Sequence, residues 1–441
     1  MANFFSKAFG FDKARHSVRT EVLAGITTFL TMAYILAVNP EMFAPIMPWG
    51  AVFTATALAA IVGTLVMAFY AKKPFALAPG MGLNAFFVCT VCGVMGHSWQ
   101  FALTAVLLEG LIFIILTVTK VRSWLLNAIP GTLKKAIGAG IGLFIAFIGL
   151  QKAGIIVDDS NTLVHLGEIT KGTALLGLIG LFITAALVMA KVRGGILWGI
   201  LATTALGLIF KDPATGEHIT KLSGVVSLPS SLEPIAFKFD WEHILSWDML
   251  AVVFTFLFID MFDTMGTIIG VHQGAGLIPE GNKKDDIPGM EKMFLADSIA
   301  TVAGACFGTS TTTTYVESAS GVNEGGRTGL TAFTVAICFG LALFFSPLFG
   351  AIPGCATAPA LIIVGVMMMS PLKSIHWEDY CRAIPAFITI IMMPLCYSIS
   401  DGILLGVITY VLCHALSGRF KDISITMWIL AALFICKYIF I

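Results

Sequence analysis

Two carboxylates three residues apart, Asp260 and Asp263, stand inside the apolar run Phe-Thr-Phe-Leu-Phe-Ile-Asp-Met-Phe-Asp-Thr that begins at Phe254. On a helix that spacing puts both acids on one face. A charged aspartate at mid-bilayer depth costs about 2.5–3.5 kcal/mol on insertion scales, so the pair belongs against protein or a water-filled cavity and marks a functional site. Two such acids suit a group that gains and loses a proton, and both are proton-coupling candidates. A third acid, Glu317, follows the hydroxyl run Ser310–Thr314. At a helix start the backbone's partial positive charge favours the anion, and a fixed carboxylate there can accept N–H groups from a heterocycle. Asn84, at the end of Pro79-Gly-Met-Gly-Leu-Asn84, offers donor and acceptor together, the complement of an amide-like ring edge. Thr313 adds a hydroxyl. Phe262, like Phe86, Phe87 and Tyr315, offers a ring that can stack on a planar ligand, although each also has an ordinary packing role among 34 phenylalanines. The candidate substrate-binding set is therefore Asn84, Asp260, Phe262, Thr313 and Glu317. Glu109, in mid-span, fits either a proton path or a structural hydrogen bond. Asp297 fits a helix cap or an approach to the site, and Asp401, after Ser398 and Ser400, fits a cap.

The elements that must carry these residues are membrane helices. Of 441 residues, 57% are hydrophobic and 12% charged, with a mean hydropathy of +0.92, which defines a polytopic membrane protein. Windows of roughly 20 apolar residues recur about fourteen times; a further apolar stretch, 424–441, is left unplaced by the count. With the N-terminus (Lys7, Lys13, Arg15, Arg19) in the cytoplasm, the loops carrying Lys72/Lys73, Lys120/Arg122, Lys191/Arg193, Lys283/Lys284, Lys373/Arg382 and Arg419/Lys421 all fall on the same side, as the positive-inside rule requires. That orients the N-terminus to the cytoplasm and divides 383–417 into two short spans; the cell (inner) membrane is the expected location. Formal net charge is zero and no basic run stands out, so no nucleic-acid partner is expected. The nine cysteines are scattered; Cys89 and Cys92, with His97 nearby, lack a second ligand pair at metal spacing. No metal and no cofactor is expected. Neither a nucleophile elbow nor an HExxH motif occurs, so the chain does not read as an enzyme.

Internal repetition sets the topology. Leu23-Ala24 with Thr28-Phe29-Leu30 recurs as Leu250-Ala251 with Thr255-Phe256-Leu257, and Leu103-Thr104-Ala105 recurs as Leu330-Thr331-Ala332, at one common offset. Ala128-Ile129-Pro130-Gly131 returns as Ala351-Ile352-Pro353-Gly354 with a small shift. Two halves of seven spans force an inverted repeat, since an odd number turns the second half upside down. The repeat pairs two interrupted segments: span 3, broken by Pro79, Gly80 and Gly82, and span 10, opened by the threonine run. β-Branched threonines favour extended backbone, so each segment predicts a short strand leading a half-helix, with the two half-helix N-termini aimed at a common point.

At Ala78-Pro-Gly-Met-Gly-Leu-Asn84, Asp260-Met-Phe-Asp-Thr264 and Thr311-Thr-Thr-Thr-Tyr-Val-Glu-Ser-Ala-Ser-Gly321, the chain closely resembles the AzgA-like purine permeases, nucleobase-cation symporters with the uracil-permease fold. The resemblance extends over nearly the whole chain, including Pro394-Leu-Cys-Tyr-Ser-Ile-Ser-Asp-Gly402. It implies an all-α protein of fourteen spans in a 7+7 inverted repeat, and a core domain (spans 1–4 and 8–11) moving against a gate domain (spans 5–7 and 12–14). On this chain that gives a cytoplasmic amphipathic segment at 1–20, core halves at 21–119 and 247–350, and gate halves at 120–246 and 351–441. It further implies uptake of hypoxanthine, guanine or adenine with protons, purine contact by Asn84, Asp260 and Glu317, coupling support from Asp263, and a homodimer. Among other classes, an anion transporter of the related sulfate-permease type shares the paired half-helices, but three carboxylates would repel an anion. A membrane-embedded acid protease is the third class; its two aspartates would lie on a single helix.

Overall fold

The computed structural model describes residues 2–12, 14–119, 130–211, 216–222, 224–274, 287 and 289–440. Lys13, Lys120, Arg122, Lys283, Lys284 and the repeat residues Ala128 and Ile129 lie outside the described residues. The helices are α1 (Ala2–Phe9), α2 (Val18–Met32), α3 (Ile35–Phe43), α4 (Trp49–Val66), α5 (Met81–Ala85), α6 (Trp99–Val118), α7 (Gly131–Lys152), α8 (Gly172–Met189) and α9 (Gly195–Gly207). They continue as α10 (Trp247–Gly274), α11 (Met290–Phe307), α12 (Ser318–Asn323), α13 (Gly329–Ala342), α14 (Ser346–Gly350), α15 (Gly354–Met368), α16 (Tyr380–Leu395), α17 (Ile399–Leu416) and α18 (Ile425–Phe440). Among the described residues, nine helical stretches are long and apolar enough to cross a membrane; Met81–Val94, Gly195–Gly207 and Tyr380–Leu395 are shorter apolar helices. The chain is a mostly helical, multi-pass membrane protein.

Among the described residues four short strands interrupt the helices: β1 (Leu77–Pro79), β2 (Ile156–Asp159), β3 (Leu163–Leu166) and β4 (Thr312–Thr314). The β2–β3 pair is a surface hairpin in the 151–171 loop, its turn tied by the Asp159 carboxylate accepting from the Asn161 and Thr162 amides at 2.8 Å each. The β1–β4 pair joins residues more than 200 apart in sequence and is fully buried. Against it pack α3, α4, α10 and α11, with α6 and α13 packed onto those helices and α2 onto α13; a second set, α7, α8, α9, α15, α16 and α17, packs mainly within itself. The outer faces expose large apolar side chains such as Phe182, Met189 and Ile209, a surface suited to lipid and unfavourable in water.

The first span carries an irregularity that hydropathy does not report. Apolar helix runs from Val18 to Phe43 but is interrupted at Ala33–Tyr34, where the Leu36 amide reaches back only to the Ala33 carbonyl, at 3.1 Å. Pro40 follows one turn later and cannot donate to the Leu36 carbonyl, which leaves the ladder weak at that point. Span 3 is also irregular: after α5 it continues as a π-helical stretch, Phe86–Val94, a geometry frequent at functional sites. The unplaced stretch 424–441 carries α18, whose Phe434 ring meets Phe254 of α10 at 5.8 Å.

Candidate functional site

The centre of the site is the antiparallel pairing of β1 with β4, in the register Leu77↔Thr314, Ala78↔Thr313, Pro79↔Thr312. The ladder extends at both ends, by Gly80 N–H to the Thr311 carbonyl and Tyr315 N–H to the Ala76 carbonyl, each 3.0 Å. Two strands alone would leave two bare edges, and at membrane depth each unpaired backbone group is expensive. Flanking helices supply the missing partners. Thr64 of α4 accepts from Leu77 N–H at 3.0 Å and donates to the Leu77 carbonyl at 3.2 Å. Thr301 of α11 donates to the Thr312 carbonyl at 3.1 Å, and Asp297 of the same helix accepts from Thr314 N–H at 2.9 Å. Asp297 therefore serves the edge of β4 rather than a helix cap.

Behind the strands lies a buried polar network. The Thr264 hydroxyl is 2.7 Å from that of Thr313, 2.9 Å from Asp297 Oδ2 and 3.3 Å from Asp260 Oδ1. A hydroxyl has one proton to give, so Thr313 donates to Thr264 and Thr264 donates onward to one carboxylate, Asp297 by the shorter distance. Asn84 is fully buried; its Oδ1 accepts from the Ser310 hydroxyl, whereas its Nδ2 meets no acceptor among the described residues. A buried N–H2 donor without a partner carries a penalty of about 1–3 kcal/mol, which a ligand carbonyl would relieve.

The acids fall into two environments. Asp260, Asp297 and Glu109 are fully buried. Asp263 and Glu317 are only partly so, and they act electrostatically on each other and on Tyr34 and Tyr315. Asp263 Oδ2 lies 3.8 Å from where a side chain at Gly80 would begin, beside the N-terminus of α5. Glu317 stands at the N-cap of α12 yet makes no capping bond to that helix. Its Oε1 accepts instead from the Tyr34 hydroxyl at 2.5 Å, across the break in the first span. Glu317 is thus held from the side by Tyr34, and its carboxylate also lies against its own backbone amide.

The structure thus gathers Asn84, Asp260, Asp263, Thr313 and Glu317 around one strand pair. Phe262 has different company: its ring meets Phe258 edge-on at 5.8 Å in a ladder with Phe254, about 200° around the helix from Asp260. Phe86 likewise meets Phe256 at 4.8 Å, and Tyr315 donates to the Pro79 carbonyl at 2.6 Å. His97 stacks on Phe101 at 4.1 Å and pairs with Asp248 at 3.4 Å, away from metal-site geometry with Cys89 and Cys92. Asp401 follows the cap Ser398, which accepts from its amide at 3.2 Å. Tyr34 escaped the sequence reading, although one signal existed: by the repeat offset it corresponds to Met261, next to Asp260.

Tyr34→Phe removes the donor and leaves the ring. Hydrogen bonds to charged groups contribute about 1.5–3 kcal/mol, so ligand affinity is expected to fall by about tenfold or more while the protein stays folded. Isothermal titration of purified wild-type and variant chains measures this, and equal affinities would show that Tyr34 does not orient Glu317.

The model of the permease family (Xan_ur_permease) matches residues 19–405. The chain is 45% identical over 446 residues to the guanine/hypoxanthine permease PbuG of Bacillus subtilis, covering 98% of this chain and 99% of that protein. It is 42% identical over 437 residues to the adenine permease AdeQ of Escherichia coli, covering 99% and 96%. Among solved structures, the transmembrane domain of a cyanobacterium bicarbonate transporter, BicA, aligns with a TM-score of 0.64 at 14% identity over 88% of this chain and 97% of that one. SLC26A9 aligns with a TM-score of 0.64 at 10% identity, over 92% and 67%; both likenesses concern the fold alone. With a family model matched over most of its length and full-length relatives that are themselves permeases, the chain belongs to the permease family.

Proposed function

We propose that this permease imports purine nucleobases, hypoxanthine, guanine or adenine, together with protons across the cell (inner) membrane, with its N-terminus in the cytoplasm. The observation that carries the proposal is the side-held carboxylate of Glu317, partly exposed beside Asp263 at the strand crossing. Two carboxylates accept ring N–H groups, and the partnerless Asn84 Nδ2 donates to a ring carbonyl or nitrogen. A neutral planar heterocycle with donors and acceptors on adjacent edges complements that set. The purine relatives support the same class. The proposed substrate-binding residues are Asn84, Asp260, Thr313 and Glu317; Phe262 stays in the set only by its nearness to Asp260 in sequence, since its ring contacts are with Phe258.

Fourteen spans in a 7+7 inverted repeat belong to the proposal. So does alternating access by a core domain (21–119 and 247–350) moving against a gate domain (120–246 and 351–441), along with homodimeric assembly. The antiparallel β1–β4 crossing is the pairing that a two-fold axis in the membrane plane would generate. Proton entry is assigned to Asp263 and Asp260. One proton supplies about 2.3 kcal/mol per 100 mV and about 1.4 kcal/mol per pH unit, enough to concentrate a neutral solute a few hundredfold. Anion transport, which the fold neighbours' titles raise, fits poorly with acids at the crossing, because they would repel the cargo.

Uptake of radiolabelled hypoxanthine, guanine and adenine in permease-deficient cells tests the reading. Accumulation of at least one purine is expected, with its loss on adding a protonophore. No purine uptake would overturn the substrate class, and uptake indifferent to the protonophore would overturn symport.

A further inference from the structure

Glu109 lies on α6, fully buried, in the interior of the core set. Its Oε2 accepts from the Thr311 hydroxyl at 2.7 Å, tying it to the residue whose carbonyl receives the Gly80 amide. Its Oε1 meets no donor among the described residues. Helix α6 packs against α10 and α11, and across those interfaces the titratable groups acting on Glu109 are the buried Asp260 and Asp297; no basic group is among them. Asp260 in turn faces Asp263, which also feels Glu317. Asp297 already receives the Thr314 amide and hydroxyl and the Thr264 hydroxyl, so its charge is the best solvated by donors. Two carboxyls that face each other inside a protein are compatible only when one proton is held between them; two bare anions there would repel without compensation.

We propose that Glu109 is the proton-holding partner of Asp260, the two carboxyls sharing one proton that is taken up and released in each transport cycle. On loading, an O–H bond forms on one carboxyl and hydrogen-bonds to the other. On unloading, that O–H bond breaks and the proton leaves to water, so one proton crosses per cycle and the protein returns unchanged. Thr311, immediately before β4, positions Glu109. The assignment rests on the proton-coupled reading above and sharpens it by naming the second carboxyl.

Glu109→Gln reproduces the protonated state permanently: its carbonyl accepts from Thr311 and its amide donates to Asp260. The test uses proteoliposomes of the full chain and whichever of hypoxanthine, guanine and adenine the wild type accumulates. E109Q is expected to exchange purine for purine at a wild-type rate with a flat pH profile. Its accumulation against a gradient falls to unity, and its purine-driven proton uptake is lost. E109D, which keeps a carboxyl, is expected to recover part of the accumulation. A wild type that couples protons while E109Q still accumulates with an unchanged pH profile overturns the assignment alone. A wild type that exchanges purine without moving protons overturns the coupling reading and the assignment with it. Should E109Q not reach the membrane, infrared difference spectra of wild type and E109D decide. A protonated-carboxyl C=O band that responds to purine and shifts in E109D is expected; its absence, or an unshifted band, overturns the proposal.

Discussion

Replacing Glu317 by Gln is expected to abolish purine binding, and with it uptake, while leaving the amount of folded protein in the membrane unchanged. Glu317 is partly exposed, makes no capping bond to α12 and is tied by the 2.5 Å hydrogen bond from Tyr34. Gln can still accept from Tyr34, so the fold loses little. For the ligand, a charged acceptor becomes a neutral group that turns either a weaker oxygen or an N–H2 towards ring N–H donors. Each hydrogen bond to a charged group contributes about 1.5–3 kcal/mol, so a purine that donates twice loses roughly 100-fold or more in affinity. Titration of purified protein with each purine, beside quantification of the variant in membranes, measures both halves. Unchanged affinity would remove Glu317 from the site.

Asp297→Ala is expected to fail differently, by loss of the folded protein itself. Its carboxylate accepts from the Thr314 amide at 2.9 Å, the Thr314 hydroxyl at 3.2 Å and the Thr264 hydroxyl at 2.9 Å. Alanine strands these donors in a fully buried place, and each stranded group carries about 1–3 kcal/mol. The sum is a large share of the 5–15 kcal/mol that typically holds a domain together. Asp297→Asn keeps one oxygen for the Thr314 amide and is expected to be milder. Thermal unfolding in detergent, with the wild type alongside, separates the two: a strong drop or no recoverable protein for Ala, and an intermediate value for Asn. Equal stability of D297A and wild type would show that β4 does not depend on this edge partner.

The contrast between these two acids is where reading the chain alone reached its limit. Asp260 and Asp263 stood out at once, because carboxylates in an apolar run are rare and their spacing fixes a shared helix face. The two strands were legible for a similar local reason: Pro79 and the Gly residues break one helix, and consecutive threonines favour extended backbone. Tyr34 was not legible as a site residue, and Glu109 was legible only as either a proton-path residue or a structural hydrogen bond. Tyr34 reaches Glu317 across a separation of 283 positions, through a helix break that hydropathy alone does not report. Glu109 meets Thr311 across 202. Phe262 drew notice by composition, but the helical turn directs it to Phe258 and away from Asp260.

By itself the sequence determined that this is a multi-pass membrane protein with two interrupted helices and a small set of intramembrane acids, since hydropathy, helix breaking and the expense of buried charge act over a few residues at a time. Only the tertiary structure decided which acids stay partly exposed, Asp263 and Glu317, and which are sealed into the interior, Asp260, Asp297 and Glu109. The reason is physical: what a carboxylate can do depends on the donors, charges and water around it, and those come from helices far apart in the chain, brought together by the crossing of β1 and β4.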